Sequence, residues 1–134
     1  TITLSGCIIE VKSNKLYIYR EYNDLINKNY TIGKCNDLLW DNRFKIVNET
    51  NNSVQVFPLG KILRNISNKE LYKKNKKKIK SIPFRARKTI PVIKTLEGLI
   101  YIPHLNISEH NVYTDRIKLY TIDFFDKKHD NIAN

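Results

Sequence analysis

Methionine is absent from this chain of 134 residues, and cysteine occurs only twice. Cys7 and Cys35 stand in no CxxC pair and beside no histidine, so neither a disulfide framework nor a zinc site is expected. No apolar run approaches the roughly eighteen residues of a membrane span, and the first residues lack the pattern of a secretory signal. These absences predict a cytoplasmic protein with reduced thiols and no membrane partner. Because the chain opens on Thr1, we expect it to be a piece of a longer protein.

Motifs of known catalytic sites are missing as well. The chain has no Gly-rich phosphate loop, no GxSxG sequence and no HExxH sequence. Its histidines, His104, His110 and His129, are scattered, and His104 directly after Pro103 is expected at the surface end of a strand. The sequence therefore predicts no catalytic residue, no metal ligand and no cofactor bound by this chain.

Positive charge is abundant and unevenly distributed. The chain has 24 basic and 13 acidic residues, for a net charge of +11. Residues 58–96 hold 13 of the bases and a single acid, Glu70, whereas the rest of the chain has 11 bases and 12 acids. A compositional bias toward lysine would scatter the bases along the whole chain. Their concentration in one segment predicts a polyanionic partner.

Alternation of apolar residues predicts strands in the first half of the chain. Residues 4–20 are expected to form a hairpin that turns at Ser13-Asn14-Lys15, with Gly6 marking a bulge or a close backbone approach. Residues 21–38 are polar and show no regular pattern of apolar residues, which predicts a loop with a short strand fragment.

A second hairpin is predicted from residues 44–46 and 54–56, in which apolar residues alternate with polar ones on the two sides of a polar turn. The stretch WDNRF at its start is interpreted as a turn, with Trp40 and Phe44 in the core and Arg43 paired with Asp41. The alternative is that Trp40 or Arg43 stacks on a nucleotide base.

A helix is predicted to begin at Pro58 and Gly60. Its apolar face is formed by residues at helical spacing, Leu59, Ile62, Leu63 and Ile66. Lys61 and Arg64 project from the opposite face. The lysines of residues 67–80 repel one another, which predicts a mobile linker or a frayed helix end.

A second short helix is predicted between two prolines. Pro83 suits the first helical turn, Ser81 or Ile82 is expected to cap it, and Pro91 ends it by about Thr89. This helix would hold two arginines and a lysine in fixed positions next to the core.

The basic segment supplies the candidate binding residues. Its lysines attract phosphates without discrimination, whereas Arg85 and Arg87 are suited to specific bidentate contacts with phosphates or guanine edges. Structural salt bridges are the alternative for both arginines. The candidate set is Lys61, Arg64, Lys74, Lys77, Lys78, Lys80, Arg85, Arg87 and Lys88.

Further strands are predicted at residues 91–95 and 99–103, turned at Glu97-Gly98, and at residues 117–124. The total of about seven strands and two short helices predicts a β-rich α+β domain, an antiparallel sandwich or barrel-like unit. Residues 1–57 would supply two hairpins and a loop. Residues 58–134 would supply the basic helix, the lysine-rich segment and the last strands of the same compact unit.

The order of several short motifs resembles the C-terminal region of tRNA(Ile)-lysidine synthetase. The motifs are TLSGCIIE, LYIYRE, WDNRF, VFPLG, IPFRARKTIPVI and LEGLIYIPHL, and the resemblance runs from about Thr3 to Ile107. Family members carry LGGC, WDGRF, PLG, a PxxxRxxxP segment, an acidic residue before Gly-Leu, and a VPHL-like end. This chain departs from that pattern at Ser5 and Asn42, where the family has glycine, and in the cationic residues 73–80. Asn42 can still adopt left-handed turn geometry.

The resemblance implies a fold and a function. The fold would be a β-sandwich with small helices, like a domain of the phenylalanyl-tRNA synthetase β subunit. The whole protein would use ATP and Mg to join lysine to the wobble cytidine of the isoleucine tRNA with a CAU anticodon. Its ATP-binding domain would lie N-terminal to this chain, which would dock the tRNA and pack against that domain. The alternatives are a basic β-rich domain that binds RNA nonspecifically and a protein-interaction module.

Overall fold

The computed structural model describes residues 1–66, 70–109 and 115–122. These residues form eleven strands: β1 (Ile2–Leu4), β2 (Cys7–Lys12), β3 (Lys15–Arg20), β4 (Tyr30–Ile32), β5 (Asp37–Trp40), β6 (Phe44–Asn48), β7 (Val54–Pro58), β8 (Pro91–Lys94), β9 (Ile100–Ile102), β10 (Ile107–Ser108) and β11 (Ile117–Thr121). They also form three α-helices, α1 (Leu63–Ile66), α2 (Glu70–Lys80) and α3 (Phe84–Arg87), and 3₁₀ turns at Tyr22–Asp24, Leu59–Lys61 and Pro103–Leu105. The predicted β-rich α+β class is confirmed. The strands outnumber the prediction because several have only two to four residues, too few to show a period.

The strands form three antiparallel sheets. The central sheet has the order β10-β9-β8-β7-β4, the outer sheet the order β11-β6-β5, and the N-terminal sheet the order β1-β2-β3. Strands β7 and β8 lie in the middle of the central sheet, in a register that pairs Phe57 with Val92 and Pro58 with Pro91.

The central and outer sheets face each other across one hydrophobic core. Its buried residues come from both sheets: Ile32, Trp40, Phe44, Ile46, Val54, Val56, Ile93, Tyr101 and Ile117. Because strand residues alternate between two faces, Phe44 and Ile46 of β6 and Val54 and Val56 of β7 point into this core. The predicted sandwich is therefore present in these two sheets.

The other face of the central sheet is covered by the helical segments. A second core contains Phe57, Leu59, Ile79, Ile90, Val92, Ile100, Ile102 and Ile107, with Leu71, Tyr72 and Ile82 packed against it. The central sheet is thus buried on both faces, which explains the almost continuous apolar sequence of β8.

The first hairpin is confirmed. Ser13 and Asn14 both adopt positive φ angles, 51° and 62°, as a tight two-residue turn requires. Gly6 closes a similar turn between β1 and β2 with φ 75°. Gly6 therefore lies in a turn, and its predicted position inside the first strand is wrong. A side chain at Gly6 would overlap the guanidinium of Arg20 and the carboxylate of Asp24, so the predicted close approach to its backbone is present.

The prediction of a second hairpin from residues 44–46 and 54–56 is wrong. Strand β6 pairs with β5 and β11 in the outer sheet, whereas β7 pairs with β4 and β8 in the central sheet. The fully buried side chain of Asn48 redirects the chain between the two sheets. Its Nδ2 lies 3.3, 3.2 and 2.8 Å from the carbonyl oxygens of Ile32, Gly33 and Asn52, and its Oδ1 accepts hydrogen bonds from Thr50.

The lysine-rich segment is also corrected. Instead of one helix after Pro58, the chain makes a 3₁₀ turn and then the single turn of α1. Residues 70–80, predicted as a mobile linker or frayed end, form α2, with a kink at Asn75. Ile79 is buried in the second core, and this packing offsets the repulsion between lysines, which project outward. Residues 67–69 of the predicted linker lie outside the described residues.

The short helix between the prolines is confirmed as α3, but its predicted cap is wrong. Pro83 occupies the N-cap position without a side-chain hydrogen bond, and the Ser81 hydroxyl donates instead to the carbonyl of Lys78. The following hairpin turns at Gly98 with φ 86°, as predicted. Of the last predicted strand, residues 117–121 form β11, and residues 123 and 124 lie outside the described part.

Asn48→Ala is expected to lower the free energy of unfolding by about 3 kcal/mol. The substitution removes three hydrogen bonds to the carbonyls of Ile32, Gly33 and Asn52 and the acceptor of two bonds from Thr50, and each buried polar group left without a partner costs about 1–3 kcal/mol. Urea denaturation measures this loss. Asn51→Ala is the matched control, because Asn51 is exposed in the same connection and should change stability by less than about 0.5 kcal/mol. Equal effects of the two substitutions would contradict the role given to Asn48.

Candidate nucleic-acid interface

The backbone around α3 is fixed by the segment that follows β7. The amide of Leu59 donates to the carbonyl of Ile90, and the amide of Gly60 donates to the carbonyl of Lys88, both at 2.9 Å. Leu59 is buried in the second core. The PLG motif therefore continues the pairing of β7 with β8 as far as the end of α3.

The carbonyl of Thr89, just after α3, accepts two side-chain hydrogen bonds from the WDNRF stretch. Trp40 Nε1 lies 3.4 Å away and Arg43 Nη2 lies 3.0 Å away. Trp40 is only 1% exposed, which confirms it as a core residue and leaves no ring face for a nucleotide. Phe44 is also buried, as predicted.

Asp41 lies between two arginines and confirms the predicted pair with Arg43. Its Oδ2 is 2.9 Å from Arg43 Nε, and both carboxylate oxygens are 3.0 Å from Arg20 Nε. Arg20 also donates to the carbonyl of Gly6 at 2.6 Å and to Asp24 at 2.8 Å. These contacts, here called the Asp41 network, join the N-terminal sheet to the turn between β5 and β6.

Burial and ion pairing act in opposite directions on the two arginines. Burial lowers the pKa of Arg43, and the nearby Asp41 only partly offsets this effect. Burial also lowers the pKa of Arg20, but its hydrogen bonds to Asp41 and Asp24 outweigh it, so that the net shift is upward. Guanidinium groups stay charged at neutral pH, so the network carries two cations and two carboxylates.

The three cations at α3, Arg85 and Arg87 within it and Lys88 directly after it, have different surroundings. Arg87 donates from Nε and Nη2 to the carbonyl of Ile82, at 3.2 and 2.8 Å, and so fixes the chain before the helix. Arg85 Nε is 3.8 Å from a carboxylate oxygen of Glu10 on β2, and its side chain is 45% exposed. Lys88 Nζ lies 4.4 Å from the centre of the Phe84 ring. Arg85 is thus exposed, whereas Arg87 and Lys88 are half-buried.

The remaining candidate residues are exposed along α1 and α2 and the turn before them. They are Lys61, Arg64, Lys74, Lys77, Lys78 and Lys80. Lys78 Nζ is 3.5 Å from the carbonyl of Asn106, a distance at the limit of hydrogen bonding. Both α2 and the segment of α3 pack on the second core, through Ile79 on one side and Ile82 and Ile90 on the other.

Two aromatic residues, one in α3 and one beside it, were not among the candidates predicted from the sequence. Tyr22 and Phe84 line a cleft of about 270 Å³ together with Ile8, Arg20, Arg85 and Lys88, here called the α3 cleft. Tyr22 lies directly over Gly60, where an added Cβ would be 2.5 Å from its ring. Burial raises the pKa of Tyr22. Of these two aromatic residues, only Phe84 could have been recognised from the sequence, because it stands beside three cationic residues.

Metal clusters and membrane-spanning helices are absent from the described ranges. There, no three histidine, cysteine, aspartate or glutamate side chains come together to hold a metal ion. His104 is exposed, with its ring 5.7 Å from that of Phe44, as expected of a residue at a strand end. None of the helices described has the length and apolar character needed to cross a membrane.

The chain is similar in sequence to several known proteins that carry the same name. No family model matches the chain, and no solved structure matches it. Proteins named tRNA(Ile)-lysidine synthase match from Rickettsia bellii, with 31% identity over 91% of this chain, and from Rickettsia prowazekii, with 29% identity over 83%. The chain spans 27% and 26% of their lengths. Over most of its length this chain is thus similar to about a quarter of a tRNA(Ile)-lysidine synthase, which confirms the resemblance that its motifs indicated.

Proposed function

We propose that this chain is the tRNA-docking C-terminal region of a tRNA(Ile)-lysidine synthase. The complete enzyme would join lysine to the wobble cytidine of the isoleucine tRNA with a CAU anticodon, in the cytoplasm. The similarity to named synthases, over 91% of the chain in one case, is the observation that carries the proposal. The concentrated and exposed positive charge of α2 and α3 supports a docking role.

The chemistry of ligation would take place elsewhere in the enzyme. ATP and its Mg²⁺ need a phosphate-binding loop and carboxylate ligands, and these 134 residues contain no such loop. The contribution of this chain would be to bind the tRNA body and hold it against the catalytic part. Positioning of this kind lowers the entropic cost of the reaction without any catalytic residue in the docking region.

The basic helices suit the backbone of a folded RNA. Proteins recognise RNA helices mainly through phosphates, 2′-hydroxyls and shape, because the deep major groove is closed to side chains. The exposed lysines of α2 would displace counterions from the phosphates, while the cations of α3 stand on a rigid support. Lys61 and Arg64 would extend the same surface. Arg87 would act by fixing α3, since its guanidinium is bonded to the carbonyl of Ile82.

The N-terminal sheet offers a surface for packing against the rest of the enzyme. Its register places Ile2, Ile9 and Ile18 in one row, with Leu4, Val11 and Leu16 on the same face. Five of these six side chains are 61–71% exposed: Ile2, Leu4, Val11, Leu16 and Ile18. A contiguous exposed apolar face marks an interaction surface. The relatives contain about three quarters of their length outside the matched region, and we propose that this part covers the face.

Replacing three lysines of α2 tests the docking role. The triple variant Lys74→Gln, Lys77→Gln and Lys80→Gln keeps helix-forming residues but removes three positive charges. Binding of the CAU isoleucine tRNA, measured by fluorescence anisotropy over a potassium chloride series, should weaken, and the slope of log K against log salt should fall by about 2–3.

The control for this variant removes three lysines from outside the basic segment. Lys15→Gln, Lys28→Gln and Lys34→Gln are exposed positions, and the combined variant has the same net charge as the α2 variant. Its salt slope should stay within about one of the unmodified chain. Equal losses in both variants would reduce binding to general charge attraction and would favour the alternative, a basic domain that binds RNA nonspecifically.

Ile2→Lys tests the apolar face. In the isolated chain Ile2 is already exposed, so the free energy of unfolding should change by less than about 0.5 kcal/mol. In the full-length synthase that carries this chain, the buried lysine should loosen the packing and speed cleavage between the two parts by limited proteolysis. Thr3→Lys is the matched control, because Thr3 is the next residue and points to the opposite face. Unchanged cleavage of the Ile2→Lys enzyme would rule out packing through this face.

A further inference from the structure

The α3 cleft combines an aromatic wall with a cationic rim. Ile8, Tyr22 and Phe84 supply the apolar surface, and Arg85 and Lys88 supply the positive charge. Its volume of about 270 Å³ is below the roughly 300–1,000 Å³ of pockets for drug-sized ligands. The cleft is therefore of a size for one planar ring and its immediate substituent.

Phe84 is an exposed aromatic residue that does not contribute to the hydrophobic cores of the fold. Its side chain is 60% exposed, and it belongs to neither hydrophobic core. An aromatic ring in contact with water and flanked by cations is a platform on which a nucleobase stacks, because every base presents a π face. The Lys88 ammonium lies over the ring at 4.4 Å. A base that stacks on this face would displace the flexible lysine side chain from the ring, and the ammonium would then meet the phosphate of the nucleotide.

The walls of the cleft are held in place before any ligand binds. Tyr22 rests on Gly60, whose lack of a side chain leaves space for the ring. The Gly60 amide donates to the carbonyl of Lys88, so the same residue fixes the end of α3. A rigid arrangement of this kind loses little conformational entropy when it binds a ligand.

The charge of the rim is only partly neutralised. Arg20 is committed to Asp41 and Asp24 and contributes little to a ligand. Arg85 has one loose partner, Glu10, at 3.8 Å. Within the described ranges the Lys88 ammonium has no carboxylate within ion-pair distance. The side chains of Arg85 and Lys88 are therefore both available to bind a phosphate group.

From this geometry we propose that the α3 cleft binds one unpaired nucleotide of an RNA, with its base on Phe84 and its phosphate on Arg85 and Lys88. A base inside a helix is stacked on its neighbours and cannot reach the ring, so the ligand must be a single-stranded end, loop or bulge. This inference rests on the proposed tRNA-docking function, in which α2 binds duplex phosphates and the cleft adds a contact to one exposed base.

The test compares single-stranded and duplex RNA on the 134-residue chain. The probes are an oligouridylate of about ten nucleotides with one 2-aminopurine, whose fluorescence falls when it stacks, and a blunt RNA duplex. Phe84→Leu keeps an apolar side chain but removes the aromatic face. It should weaken binding of the single strand about tenfold and abolish the quenching of 2-aminopurine, while duplex affinity changes less than about twofold.

Tyr120→Leu is the matched control, because Tyr120 is another exposed aromatic residue, 51% exposed on β11, and lies outside the cleft. It should leave both affinities unchanged. If the unmodified chain binds duplex and tRNA but Phe84→Leu does not affect the single strand, the cleft proposal is wrong and the docking function stands. If the unmodified chain binds neither duplex nor tRNA, the docking function itself fails. Equal weakening of single strand and duplex by Phe84→Leu would also overturn the nucleotide site.

Discussion

The carbonyl of Thr89 is the point at which the separate parts of this small domain are tied together. It accepts hydrogen bonds from Trp40 in the outer sheet and from Arg43 in the adjoining turn. Arg43 is paired with Asp41, and Asp41 holds Arg20 of the N-terminal sheet. One backbone oxygen and one carboxylate thus connect two sheets to the end of α3. This connection holds the backbone at the end of α3, from which its cations project.

The same arrangement explains how the chain tolerates its concentrated charge. A row of lysines is unfavourable for an isolated helix, since like charges one turn apart repel one another. Burial of Ile79, with Leu71 and Tyr72 packed beside it, fixes α2 on the second core and leaves the lysines in solvent. Hydrophobic contacts on one side therefore hold in place a charged surface on the other. A polyanion bound to that surface would remove much of the remaining repulsion.

Local chemistry made part of this fold predictable from the sequence. Asn14 and Gly98 mark turns because they adopt positive φ at little cost, and the prolines at 83 and 91 limit α3 from both sides. The course of the chain after β6 was not predictable, because it depends on the contacts of Asn48 with carbonyls distant in sequence. The same holds for the α3 cleft. Tyr22 reaches α3 only through the tertiary fold, and no local pattern pairs it with Phe84.

The lysidine synthase relatives and the basic surface support one account, in which a rigid β-rich unit docks a folded tRNA. The most direct measurement is the affinity of the 134-residue chain for the CAU isoleucine tRNA and for an unstructured RNA of the same length, over a salt series. A docking unit should bind the tRNA at least about tenfold more tightly than the unstructured RNA, with a salt slope equivalent to about 4–8 phosphate contacts. Equal affinity for the two RNAs would contradict it and leave only electrostatic attraction.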